Sequence, residues 1–128
     1  MQSIINEDAP SPLVLVVDDD DDIRDILSYG IEASGCRCLT AESGEAALRI
    51  LKSEPVEVVI SDVQMNGMSG LDLLEKIKTL YHEPPPVVMM ITAYGDSENY
   101  SKAIKLGADD FLTKPVDFAS LKEKIKTF

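Results

Sequence analysis

The sequence predicts an α/β protein with a parallel sheet and helices packed on both of its faces. Three observations carry this. Short apolar runs rich in valine and isoleucine recur along the chain. Between them lie stretches whose apolar residues return at helical spacing. The connections are short, and strand followed by helix runs five times over, the pattern of a doubly wound sheet.

Leu13–Val17 (LVLVV) is apolar throughout, which suits a central parallel strand covered on both faces. Ile23, Ile26, Leu27 and Ile31 follow with the spacing of a helix ending near Gly35. Arg37–Ala41 reads as a weaker strand. Ser43 is placed to cap a second helix with the stripe Ala47, Leu48 and Leu51. Val56–Ser61 is a third apolar run. Ser69 opens a third helix, with Asp72 three residues on in a box-like position and Leu73, Leu74, Ile77 and Leu80 as its stripe. Pro84, Pro85 and Pro86 form a stiff lead into Val87–Ile91, the fourth strand. Asp96 or Ser97 opens a fourth helix with Tyr100, Ala103 and Ile104 on its apolar side. Gly107 stands where a helix terminus needs positive φ. Asp110–Leu112 is a short fifth strand. Asp117 caps a last helix with Phe118, Leu121 and Ile125 inward.

The chain has 128 residues, 45% of them hydrophobic and 27% charged, which suits one soluble domain with one real core. Residues 1–12 read as a tail, kept extended by Pro10 and Pro12, and residues 13–128 as the domain. A net charge of -11 repels phosphate backbones and argues against direct nucleic acid binding. The apolar runs are strand-sized and the start lacks the features of a signal peptide, so neither a membrane span nor secretion is expected. Cys36 and Cys38 would face the same side of a strand, a poor geometry for a disulfide. The expected compartment is the cytoplasm.

In doubly wound folds ligands bind at the carboxyl ends of the strands. Asp18 and Asp19 follow the first predicted strand, Asp62 the third, Thr92 the fourth, and Lys114 and Pro115 the fifth. Three carboxylates brought that close repel one another unless a cation is present. Oxygen-only donors favour a hard ion such as Mg²⁺, which keeps waters and takes one or two carboxylates plus a phosphate oxygen. Lys114 could supply a charge to a phosphoryl group and Thr92 a hydrogen bond. Asp62 could be the nucleophile that forms an acyl phosphate.

VVDDDDDIR, DVQMNGMSG, ITAYGD and GADDFLTKP, in that order and each at a strand end, make the chain resemble the response-regulator receiver domains of two-component signalling. The resemblance spans about Leu13 to Ile125. It implies a flavodoxin-like (βα)5 sheet in the order 2-1-3-4-5. It implies Asp62 as phosphoacceptor and a Mg²⁺ ion, replaceable by Mn²⁺, held by Asp19 directly, Asp18 through water, Asp62, and the backbone carbonyl of Gln64. Lys114 would contact the phosphoryl group, with Lys114–Pro115 in the cis form. Thr92 would move towards the phosphoryl oxygen and Phe111 would turn inward with it. The implied partners are a histidine kinase or histidine phosphotransfer protein as donor, and an effector protein or fused output domain. A phosphorylation-dependent homodimer through the fourth helix, fifth strand and fifth helix is another form of output.

The chain departs from the family's common residues at two places, and Gln64 and Tyr94 occupy positions that vary within it. Asn66 stands where proline is common, which suggests a looser loop with no ligand lost. Phe111 stands where tyrosine is frequent, so it can report a switch only by packing. Gln64 and Tyr94 flank the path of the hydrolytic water and are both large, which predicts slow self-dephosphorylation.

These residues admit other readings. Asp20, Asp21 and Asp22 are best explained as acids at a helix N-terminus. A Ca²⁺ loop fails because Ile23 and Tyr29 occupy the positions that need glycine and glutamate. Tyr100 reads as core and His82 as a loop residue. A small phosphatase using Asp18 as nucleophile and Asp20 beside it would leave Asp62 without a role. A phosphorylation-independent scaffold would leave the whole set of rim residues without one.

Overall fold

The computed structural model describes residues 11–80, 84–93 and 95–127. Five strands alternate with five helices: β1 (Leu13–Val17), α1 (Asp21–Ala33), β2 (Arg37–Ala41), α2 (Gly44–Ser53), β3 (Val58–Asp62), α3 (Gly70–Leu80), β4 (Val87–Thr92), α4 (Ser97–Leu106), β5 (Asp110–Thr113) and α5 (Phe118–Lys126). The strands form one parallel sheet in the order β2-β1-β3-β4-β5, as the sequence implied. The third strand starts at Val58, two residues later than its apolar run, and the fifth extends to Thr113.

The alternation of side chains along β1 splits the core in two. Leu15 and Val17 join Val59 and Met90 beneath Ala47 and Leu51 of α2, Leu73, Leu74 and Ile77 of α3, and Ala103 of α4. Val14 and Val16 join Ile60, Met89 and Ile91 on the opposite face, beneath Leu27 and Ile31 of α1 and Leu121 and Ile125 of α5. Both layers are fully buried, which is why the central strands read as unbroken apolar runs.

The helix ends follow their capping residues. Asp20 accepts the amides of Asp22 and Ile23, Ser43 that of Ala46, and Asp96 that of Asn99. Ser69 and Asp72 form a reciprocal box: Ser69 Oγ accepts the Asp72 amide at 3.1 Å and Asp72 Oδ2 the Ser69 amide at 3.4 Å. Gly107 closes α4 with φ of 99°.

Several predicted core positions are instead open to solvent. Ile26, Leu80, Tyr100, Ile104 and Phe118 are each more than 40% exposed. Ile26 and Ile104 stand one position from the buried Leu27 and Ala103, and Leu80 and Phe118 are end residues of their helices. Tyr100 lies against Phe111, with ring centroids 4.4 Å apart. The Phe118 ring covers Gly30, where an added Cβ would come within 2.6 Å of it. Cys36 and Cys38 are free thiols. Most of the predicted tail, His82 and Tyr94 lie outside the described residues.

Candidate functional site

Parallel register brings the predicted residues to one rim. Val17 pairs with Ser61, so one step further sets Asp18 beside Asp62. Asp62 pairs with Ile91, and Thr92 with Thr113, which directly precedes Lys114. The four strand ends therefore finish at one level. They open into a cleft of about 500 Å³ lined by Asp18, Asp19, Asp62, Gln64 and Lys114, with Phe118 on its apolar side.

The three carboxylates have different surroundings. Asp18 is 2% exposed; its Oδ1 accepts the Asp20 amide at 2.9 Å, while Oδ2 is buried with no hydrogen-bond partner. Burial pushes its carboxyl up to about 6 from an ordinary 3.8. The Asp20 amide opposes that rise, the Asp62 charge adds to it, the Lys114 ammonium opposes it, and Asp19 adds a little more. Asp62 is 6% exposed; Oδ1 accepts the Gln64 amide at 2.9 Å and Oδ2 accepts Lys114 Nζ at 2.5 Å. Asp19 stands at the exposed lip, and its Oδ2 accepts the Asn66 amide at 2.9 Å.

The hydrogen bond from Lys114 to Asp62, opposed by partial burial, holds the ammonium above its ordinary range. The Lys114 amide donates to the Thr92 carbonyl at 2.9 Å, and the Lys114–Pro115 peptide is cis. Thr92 is buried at the end of β4, and Phe111 is half-buried against the α2–α4 layer.

Sequence reasoning missed four contributors. Arg24 Nη1 reaches back from α1 to the Asp18 carbonyl at 2.6 Å. An arginine in the first turn after an acidic strand end was a usable signal. The Gln64 and Asn66 amides had no sequence signal, because every residue except proline carries one. Gly70 starts α3 so close to β3 that a Cβ there would stand 1.9 Å from the Asp62 carbonyl oxygen. The Asn66 amide is tied to the Asp19 carboxylate.

Among the described residues no three His, Cys, Asp or Glu side chains converge closely enough to enclose a metal by themselves. The donors suit an ion that keeps much of its water. The buried, unpartnered Asp18 oxygen and its raised carboxyl are what a cation would relieve. Oxygens of Asp18, Asp19 and Asp62 with the Gln64 carbonyl fit a hard divalent ion such as Mg²⁺.

Fold and rim together define a doubly wound α/β domain with a carboxylate–lysine site at its strand ends. The chain belongs to the response regulator receiver domain family, which matches residues 14–126. It is 42% identical over 112 residues to a cyclic di-GMP phosphodiesterase of Thermotoga maritima, covering 88% of this chain and 29% of that protein. It is 42% identical over 105 residues to the DNA-binding transcriptional regulator NtrC of Escherichia coli, covering 82% of this chain and 22% of that one. The chain thus spans under a third of the length of these curated relatives. A response regulator receiver protein from Pseudomonas putida superposes with a TM-score of 0.86 at 31% identity, over 94% of this chain and 99% of that one. The Vibrio cholerae chemotaxis protein CheY4 superposes at 0.85 with 26% identity, over 91% and 98%. The family and the flavodoxin-like fold are those the sequence implied. Among the described residues no helix is long and apolar enough to cross a membrane.

Proposed function

We propose that this receiver unit, beginning near Leu13, accepts a phosphoryl group on Asp62 from a phosphohistidine of a histidine kinase or phosphotransfer protein in the cytoplasm. The observation that carries this reading is the Lys114–Asp62 contact at 2.5 Å beside two further acids at the same strand ends. An Asp62 carboxylate oxygen attacks phosphorus, the P–N bond of the donor breaks, and the leaving imidazole takes up a proton from solvent. Bound Mg²⁺ would neutralise charge on the transferring phosphoryl oxygens. Asp19, Asp62 and the Gln64 carbonyl would hold it, with Asp18 acting through water.

Transfer turns the Asp62 carboxylate into an acyl phosphate and leaves Lys114 facing a phosphoryl group. Thr92, at the end of the neighbouring strand, would donate its hydroxyl to that group. Phe111 and Tyr100 follow by repacking, which biases the α4–β5–α5 face towards its active arrangement. Output is then binding, to an effector, a fused output domain or a second copy, and not turnover of an external substrate. Gln64 lies at the cleft and tunes the phosphoryl lifetime together with Tyr94.

Asp20 argues against the phosphatase reading, because its Oδ1 is engaged in capping α1, accepting the Asp22 and Ile23 amides. The test is intact mass after incubation with acetyl phosphate and Mg²⁺. One Mg²⁺-dependent phosphoryl adduct is expected in the wild type and none in Asp62→Asn. An adduct that survives in Asp62→Asn would move the nucleophile elsewhere, with Asp18 the first suspect.

A further inference from the structure

We propose that Arg24 is a positioning residue that, through the Asp18 carbonyl, sets the two rim acids after β1 for a divalent cation. The inference rests on the metal reading of the site given above. An aspartate offers an amide, a carbonyl and two carboxylate oxygens for hydrogen bonding. In Asp18 all but one are committed. The amide donates to the Ala41 carbonyl at 3.2 Å, the carbonyl accepts Arg24 Nη1 at 2.6 Å, and Oδ1 accepts the Asp20 amide at 2.9 Å. Only Oδ2 is left, buried and unpartnered in a residue that lines the cleft. The Asp18 carbonyl shares one planar peptide unit with the Asp19 amide. A clamp on that carbonyl therefore also sets the direction in which the chain enters Asp19.

Arg24 has two partners, and they differ in kind. Its side chain is 15% exposed, whereas that of Asp21, which it also meets, is 85% exposed. The Asp21 pair is a surface contact of small worth. The Asp18 contact is a short bond from a charged donor that is mostly buried, and such bonds are the stronger ones. An outer hydrogen bond that orients a metal-binding residue typically changes affinity about 10-fold or more. Charge alone would act the other way. A guanidinium beside a cation site repels the ion, so its removal should tighten binding. Positioning predicts weaker binding, and the two effects differ in sign.

The test separates the carbonyl contact from the rest of the helix start. Arg24→Met keeps an unbranched side chain and deletes donor and charge, Asp21→Ala deletes only the exposed pair, and Asp20→Ala deletes only the α1 cap. Mg²⁺ affinity is measured by titration calorimetry on the metal-free full chain, with circular dichroism to check folding. The expected result is about ten-fold weaker binding in Arg24→Met, with Asp21→Ala and Asp20→Ala within about two-fold of wild type. Unchanged or tighter binding in folded Arg24→Met overturns the proposal. So does an equal loss in Asp21→Ala or Asp20→Ala, which would assign the effect to general loosening of α1. A second arm uses the wild type alone and does not depend on any variant folding. Solvent exchange of the Arg24 guanidinium protons, followed by NMR, should slow in saturating Mg²⁺, because cation binding and the Arg24 contact support each other. Unchanged or faster exchange means the two are not coupled, and the proposal fails. Wild type that binds no Mg²⁺ overturns this inference and the metal reading together. Wild type that binds Mg²⁺ but is not phosphorylated on Asp62 overturns the function and leaves the inference standing.

Discussion

Lys114 and Asp62 are 52 residues apart in sequence and 2.5 Å apart in space, joined across the cleft between β3 and the end of β5. The lysine side chain is 45% exposed but that of Asp62 only 8%, so the ammonium is the cation that offsets a buried carboxylate. Its role is also chemical. Lys114→Ala should lower the melting temperature of the metal-free protein, because two buried carboxylates lose their cation, and should slow Asp62 phosphorylation about ten-fold or more, since a preorganised cation at the transferring group is lost. Time courses of intact mass with acetyl phosphate measure this. A wild-type rate in Lys114→Ala would remove the lysine from the reaction.

The raised Asp18 carboxyl gives stability a definite pH dependence. Its folded value, about 6, lies above the ordinary 3.8, so the folded state holds the proton more tightly. The buried charge therefore costs stability above about pH 6, and that cost fades as pH falls towards 3.8. Urea unfolding in chelator should show metal-free protein gaining stability from pH 7 to pH 5. Asp18→Asn should abolish this gain and stabilise the metal-free fold at pH 7 by on the order of 1–2 kcal/mol. Added Mg²⁺ should flatten the profile in the wild type.

Gly70 holds α3 against the strand that carries Asp62. Gly70→Ala puts a methyl group into the Asp62 carbonyl, and the backbone has to give way. We expect a loss of about 1–3 kcal/mol in chemical denaturation and a disturbed Asp62 environment by NMR. Ser69→Ala, one residue earlier, should cost about 1 kcal/mol through its cap and leave the Asp62 signals in place.

Neighbouring acids should separate cleanly. Asp20→Ala removes the α1 cap, costing about 1 kcal/mol, with Mg²⁺ affinity within about two-fold of wild type. Asp19→Ala should do the reverse, with little loss of stability and Mg²⁺ binding weakened at least about ten-fold. Denaturation and calorimetry on the two variants make the comparison. Equal effects on both measurements would contradict the division of roles.

The fold was legible because buried parallel strands demand unbroken apolar runs, and capping residues mark where each helix starts. Ser43, Ser69, Asp96 and Asp117 all cap as the sequence indicated. The limits of the core were not legible. Leu80 and Ile104 keep helical spacing with buried neighbours, yet only the three-dimensional width of the sheet decides which turn is covered. At the site, the side chains announced themselves by type and by place at the strand ends. The amides of Gln64 and Asn66 did not, because a backbone donor leaves no trace in residue identity.

The five consecutive aspartates are one letter repeated, yet no two share a task. Asp18 is buried, Asp19 faces the lip, Asp20 caps α1, Asp21 pairs with Arg24, and Asp22 sits open to water in the first turn. Deleting any one of them yields the same four-letter string, so the molecule, not the mutation, chooses which task disappears. On one side β1 is pinned by ladders to two strands. On the other, α1 begins at a single cap worth about 1 kcal/mol. The exposed first turn, ahead of the buried Leu27 and Ile31, should yield, so the adjustment would fall on the helix side and spare the two acids of the rim. A homopolymeric stretch in this chain thus behaves as an ordered queue that is filled from the sheet outwards.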